Sequence, residues 1–333
     1  MIDVSIISTC SKTPRRVVTN SELEEKLGLR SGMIERLTGI QKRHYLDENE
    51  SLQGLATDVC VEAIRASGLD PSSLEMMIFY TDVPPTILEN HHLKRTYYEI
   101  APHIQYLLRE RNIALNCECI NIGGSCVGFI SALQIAYGLI RSGTKKNILI
   151  VSAANCSQFL DKADKNVAMT FSDGAAATIL AGSREKGFID FYCMTDGAGY
   201  ETGSFINYEA LFVDRKRVAE FAPRALQLAV NKTLEKTKLA AEDIDLFIPH
   251  QAGLKIIERG IRLAGISWDK VYICLQYEGN AGAPSLQMAL GNAIKEGRIK
   301  DGDFVLLIGF GTGWHYGGTV FCYRRIPGQE LER

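Results

Sequence analysis

Short apolar runs alternate with longer amphipathic stretches from one end of this chain to the other, and that alternation constrains its fold most. An apolar run too short for a helix and bounded by turn residues reads as a buried strand. The longer stretches, with apolar residues three and four apart, read as helices packed on one face. Strands are expected at 76–81, 114–122, 147–153, 176–181, 246–248, 304–308 and 319–323. Helices are expected at 21–27, 52–66, 126–141, 218–236, 254–263 and 285–296, with Ser21 and Glu24 at capping-box spacing. The pattern is that of an α/β fold and not of a β sandwich.

A faint long-period echo divides the chain. A strand followed by Phe171-Ser172-Asp173-Gly174-Ala175-Ala176 in the first half matches a strand followed by Gly309-Phe310-Gly311-Thr312-Gly313 in the second. Two similar halves, 1–182 and 183–333, are therefore expected to pack together. At 333 residues and 46% hydrophobic, the chain has material for one large or two ordinary cores. Its 37 basic and 39 acidic residues nearly cancel, which argues against a nucleic-acid-binding protein. No run of 18 apolar residues is present, so no membrane span is expected. The start, Met1-Ile2-Asp3-Val4-Ser5, lacks the pattern of a secretory signal. Nine cysteines without Cys-x-x-Cys spacing suggest thiols in a reducing cytoplasm. Adjacent His91 and His92 would diverge in regular structure, so no metal site is expected there.

Three segments carry candidate chemistry. Cys126 follows a strand and a Gly123-Gly124 turn, at the expected start of an apolar helix. There the helix dipole and free N–H groups would favour the thiolate. A lone cysteine so placed is more often a buried packing residue. His250, however, sits in Ile248-Pro249-His250-Gln251-Ala252, where a strand gives way to a helix. Asn280 lies in the small-residue loop Gly279-Asn280-Ala281-Gly282-Ala283 before another helix. Such strand-end loops are where α/β proteins gather ligands.

The segments around Cys126, His250 and Asn280 resemble, in order and separation, the three catalytic motifs of β-ketoacyl-ACP synthase III. Leu37-Thr38-Gly39-Ile40, the Phe171 segment and the Gly309 segment extend the resemblance over almost the whole chain. It implies a thiolase-like fold: two βαβαβαββ-type halves in αβαβα layers, forming a homodimer, with no cofactor. Cys126 would take an acyl group from CoA or a carrier protein. Malonyl on acyl carrier protein would then lose CO₂, and its carbanion would attack the acyl-Cys126 carbonyl. His250 and Asn280 would donate to the enolate, and backbone N–H groups of Cys126 and Thr312 would hold the tetrahedral oxyanion. Phe310 would keep the site dry.

Several positions depart from the family pattern. Met33 and Leu37 stand where a tryptophan and an arginine commonly hold the CoA adenine, so stacking and cation attraction are lost. Gly253 replaces an asparagine facing the pantetheine arm. Lys255 and Arg262 are retained in kind and are expected to meet the acidic face of a carrier protein. The 82–103 stretch is longer than its family counterpart and is expected to alter acyl selectivity. Within it, Glu89 is a candidate carboxylate for abstracting an α-proton. The expected activity is decarboxylative condensation, in fatty-acid initiation or in a specialised polyketide or acyl-metabolite pathway. The alternatives are an acyltransferase moving the acyl group to an alcohol or amine, and a non-catalytic subunit of a heteromeric synthase.

Overall fold

The computed structural model describes residues 2–84, 86–89, 92–96, 99–161, 164–207 and 209–324, with the backbone alone for 86–89 and 92–96. In the first half, β1 (Asp3–Lys12), α1 (Asn20–Leu27), α2 (Met33–Thr38), α3 (Leu52–Ser67), β2 (Met76–Tyr80), α4 (Ala101–Glu110), β3 (Glu118–Ile122), α5 (Gly128–Arg141), β4 (Asn147–Asn155) and β5 (Asp173–Ser183) follow in order. The second half brings β6 (Phe188–Thr195), α6 (Arg215–Thr237), β7 (Leu246–Pro249), α7 (Leu254–Leu263), α8 (Ser285–Lys295), β8 (Phe304–Gly311) and β9 (His315–Cys322).

Two mixed sheets result, ordered β1-β5-β4-β2-β3 and β6-β9-β8-β7. In each, a parallel pair (β2 with β4, β7 with β8) continues into antiparallel neighbours. An isolated parallel bridge from Phe247 to Val271 stands in the second sheet where β3 stands in the first. The sheets repeat one plan.

Helix composition decides which layer each helix joins. Eight of the eleven residues of α8 are buried, and α5 buries Phe129, Ile130, Ala132, Leu133, Ala136 and Ile140. Helices apolar on most faces belong inside. Accordingly α5 and α8 lie between the sheets, in one core cluster with Ile78, Ile148 and Ile150 of the first and Ile248, Val305 and Leu307 of the second. By contrast, α7 buries only Ile257, Gly260 and Ile261, one stripe, and packs with α6 on the outer face of the second sheet. Helices α3 and α4 cover the outer face of the first. The layers run αβαβα.

Some expectations need correction. Ala114 to Cys117 is not strand, and β3 begins only at Glu118. The capping box at Ser21 does not form. Thr19 caps α1 by accepting from Glu22 N–H, while buried Glu24 accepts from Gly32 and Ile34 N–H at the entrance to α2. A hairpin of Gly203–Ile206 and Ala210–Val213, unforeseen in the sequence, lies against the first half through Phe205 and Phe159.

Candidate active site

After Ile122 the chain turns through Gly123 and Gly124 into a single 3₁₀ turn, Ser125–Val127, and α5 starts only at Gly128. Gly124 has φ 126° and Ser125 has φ 50°, so the backbone beside Cys126 sits where side chains are disfavoured. Space is equally short. A Cβ on Gly128 would come within 2.5 Å of the Tyr80 ring, and one on Gly311 within 3.1 Å of the Cys126 nitrogen. Ser125 Oγ and Thr312 Oγ1 share a hydrogen bond of 3.2 Å, which ties the cysteine turn to the end of β8. Thr312 therefore stands beside Cys126.

The surroundings of Cys126 oppose the thiolate that a helix N-terminus would favour. Its thiol lies under the surface, 9% exposed, and burial pushes its pKa well above the ordinary thiol range. The carboxylate of Asp82 adds in the same direction, while the Ser125 hydroxyl opposes it. Cys126 Sγ donates to Asp82 Oδ2 at 3.8 Å. Burial also pushes Asp82 up to about 6. Sequence reasoning missed Asp82 as a site residue. Its position just past the end of β2, between two parallel neighbours, was the available signal.

His250 extends the pairing of β7 with β8, its N–H donating to Ile308 O at 2.8 Å. The next residue clamps the turn: Gln251 Nε2 donates to Pro249 O, and its Oε1 accepts from Cys274 and Leu275 N–H. The imidazole is buried edge-on to Phe310, ring centres 5.5 Å apart. Burial alone lowers its pKa to about 3, so it is neutral at physiological pH.

Asn280 is held from both sides. Its N–H donates to Thr170 O and its carbonyl accepts from Ser172 N–H. The side-chain Oδ1 accepts from Gly282 N–H at 3.0 Å and from Ser285 Oγ at 3.2 Å. A backbone N–H can only donate, so the Gly282 contact fixes which end of the amide is the oxygen. The NH₂ group is the half left to donate elsewhere.

Contacts link the three residues. Phe310 meets His250, and its neighbour Gly311 abuts Cys126. Asp82, against Cys126, also lies so close to Gly282 that a Cβ there would stand 2.4 Å from Oδ2. A cavity of about 570 Å³ opens at Cys126, with Thr81, Asp82, Ser125 and Thr312 also in its lining. Its apolar wall comes from Phe171 and from Phe205, Leu211 and Val213 of the unforeseen hairpin. His250, Asn280 and Phe310 do not line it.

The assignment to a family follows from comparison with known proteins. Residues 120–197 match the family described as 3-oxoacyl-[acyl-carrier-protein (ACP)] synthase III, and residues 234–323 match the family of its C-terminal part. β-Ketoacyl-[acyl-carrier-protein] synthase III of Campylobacter jejuni is 30% identical over 331 residues, covering 97% of this chain and 98% of that protein. The chain belongs to the β-ketoacyl-ACP synthase III family. The synthase III crystal structure from Aquifex aeolicus superposes with a TM-score of 0.89 at 30% identity, over 96% of this chain and all of that one. The priming β-ketosynthase of the R1128 polyketide pathway gives 0.88 at 26% identity, over 98% and 97%.

Three of the positions expected to depart from the family pattern lie on or beside two neighbouring helices, α2 and α7. Met33 and Leu37 lie one turn apart on α2, both half-buried. The end of α2 meets the start of α7, where a Cβ on Gly39 would stand 2.6 Å from Leu254. Gly253 is extended, and a Cβ there would meet nothing within 4 Å, so space does not forbid a larger residue. Lys255 and Arg262 are exposed on α7, with Arg259, not foreseen, between them. Among the described residues none of the three forms an ion pair. Backbone strands Thr86–Glu89 and His92–Thr96 pair antiparallel within the 82–103 stretch. The Glu89 side chain and His91 lie outside the described residues. Among the described residues, no group of three His, Cys, Asp or Glu could hold a metal ion, and no helix is long and apolar enough to cross a membrane.

Proposed function

We propose that this synthase III family member transfers an acyl group from a thioester to Cys126 and then condenses it with malonyl carried on acyl carrier protein. The observation that carries the reading is the fixed amide of Asn280 together with a neutral, buried His250. Decarboxylation puts negative charge on the thioester oxygen of the malonyl unit. Two uncharged donors held in place beforehand stabilise that oxygen without reorganising, and losing one such donor typically costs about 3–4 kcal/mol. The enolate carbon then attacks the acyl-Cys126 carbonyl. The resulting oxyanion falls to the N–H groups of Cys126 and Thr312, and collapse expels the Cys126 thiolate, which takes a proton from solvent to restore the thiol. Simple transfer to an alcohol or amine needs a base but no second enolate donor, so Asn280 favours condensation.

The cavity walled by Phe205, Leu211 and Val213 suits the acyl chain, being within the usual size of ligand pockets. Exposed Lys255, Arg259 and Arg262 suit the acidic face of a carrier protein, and the loss of stacking at Met33 and Leu37 favours an acyl donor on a carrier beside acyl-CoA. No cofactor enters the scheme. Strand β3 is an open sheet edge, half-exposed along its length, and suits pairing with a second copy in a homodimer. The unpaired thiols suit a cytoplasmic site of action, and the repeated sheets suit division into halves 1–182 and 183–333. Similarity to a polyketide priming ketosynthase supports a starter-unit role, in fatty-acid or polyketide synthesis.

Incubation with an acyl thioester and malonyl-ACP, reading CO₂ and product mass, tests the proposal. Condensation releases CO₂ and yields a β-ketoacyl carrier, and Cys126→Ala yields neither product nor acylated protein. Acylated Cys126 without CO₂ release would establish the acyltransferase alternative instead.

A further inference from the structure

Asp82 is a half-buried carboxylate that the scheme above leaves without a task. Its Oδ1 is shut off from solvent with no side-chain partner, the backbone N–H of Ala283 interacts with the carboxylate, and its Oδ2 faces the Cys126 sulfur. Among the described residues no lysine or arginine pairs with it, so neutralisation by a cation does not account for its burial. Gly282 leaves it room, at φ +70° and with no space for a Cβ. The titratable groups around it are Cys126, Cys156 at the end of β4 and Tyr80 on its own strand. Burial holds all three in their uncharged forms at neutral pH. Asp82 is the member of this cluster that changes charge near neutrality.

A carboxylate in contact with a thiol penalises a free thiolate, so Cys126 is not activated by ionising in advance. Its proton must leave as the carbon–sulfur bond forms, and the atom touching the sulfur is Asp82 Oδ2. We propose that Asp82 is the general base of the acylation half-reaction. It takes the Cys126 proton as Sγ attacks the donor carbonyl, and returns it to the departing thiolate. One sulfur–carbon bond forms and one breaks. The proton moves from Cys126 through Asp82 to the released thiol, and no oxidant, metal or further reactant is required. The inference rests on Cys126 being the acyl acceptor.

The test is single-turnover acylation of Cys126 by an acyl N-acetylcysteamine thioester, followed by protein mass across pH. The wild-type rate should rise as pH passes about 6 and then level off, because the base is fully ionised above that point. In Asp82→Asn the plateau should vanish and the rate should track hydroxide. At about pH 7.5 it should fall by roughly 10²–10⁴-fold, the usual contribution of a positioned base. Asp82→Ser should behave likewise, and a wild-type solvent isotope effect should report the proton in flight without relying on any variant. Should Asp82 merely suppress the thiolate, Asp82→Asn would acylate faster than wild type, which overturns the proposal. A wild-type profile without a limb near pH 6 overturns it too. Iodoacetamide alkylation reads the same proton with no acyl donor. An Asp82-dependent limb there supports the inference even if no thioester acylates the protein, an outcome that would sink only the condensing reading.

Discussion

Asn280→Ala should leave Cys126 acylation near wild type while lowering CO₂ release by roughly 10²–10³-fold, the cost of one preorganised donor. Equal loss of both half-reactions would mean that Asn280 holds the loop instead of the enolate. His250 makes a second prediction, about stability. Its pKa is about 3 in the fold, against about 6.5 for a free imidazole. Below pH 6.5 the unfolded chain takes up a proton that the fold refuses, so stability complete above that pH is lost as acid approaches 3. Asp173 has the opposite sign: buried and raised to about 6, it contributes most below about 3.8 and less as pH rises through 6. Urea midpoints across this range should therefore decline less steeply in acid for His250→Gln than for wild type; parallel curves would contradict the assignment. Cys126, His250 and Asn280 stood out as candidates in the sequence because each stands in a distinctive local string. Asp82 did not, since its contact is with a sulfur 44 positions away in sequence.

At the level of elements, α8 is fastened to the first sheet by one side chain. Gln287, fully buried, accepts from Tyr80 OH and Ser152 Oγ, and donates to Ile150 O and Thr178 Oγ1. All four hydrogen-bonding positions of the amide are used, across β2, β4 and β5. Gln287→Leu keeps the volume but strands several buried polar groups, so a loss of about 2–5 kcal/mol is expected in denaturant unfolding. A loss within 0.5 kcal/mol would show that the network contributes nothing net. Elements with one clean apolar stripe were readable in the sequence: α7 spans 254–263 as expected, because Ile257 and Ile261 are one turn apart. The hairpin walling the cavity was not, because its strands are four residues each and half-exposed, with little period to detect.

The whole molecule has one inner layer for two sheets. Residues of α5 and α8 form a single cluster with side chains of both sheets, so neither half buries its inner face alone. A fragment ending at residue 182 would expose Phe129, Leu133 and the rest of the inner face of α5 to water. It should lack a cooperative thermal transition, while the full chain unfolds in one calorimetric peak. A fragment that melts cooperatively would refute a jointly held core. The echo between halves was visible in sequence as repeated strand–glycine strings. That the halves meet through α5 and α8 was not, because burial on two opposite faces leaves no polar stripe to orient a helix.

The duplicated plan also apportions the chemistry. The sulfur and its carboxylate neighbour come from the first sheet's strand ends, and the imidazole and carboxamide come from the second half of the chain. On the proposed scheme, substitutions at His250 or Asn280 would erode the later step of a turnover while sparing the earlier one. On that scheme the two halves of the chain could diverge in function separately, one keeping the loading of acyl groups and the other changing what receives them.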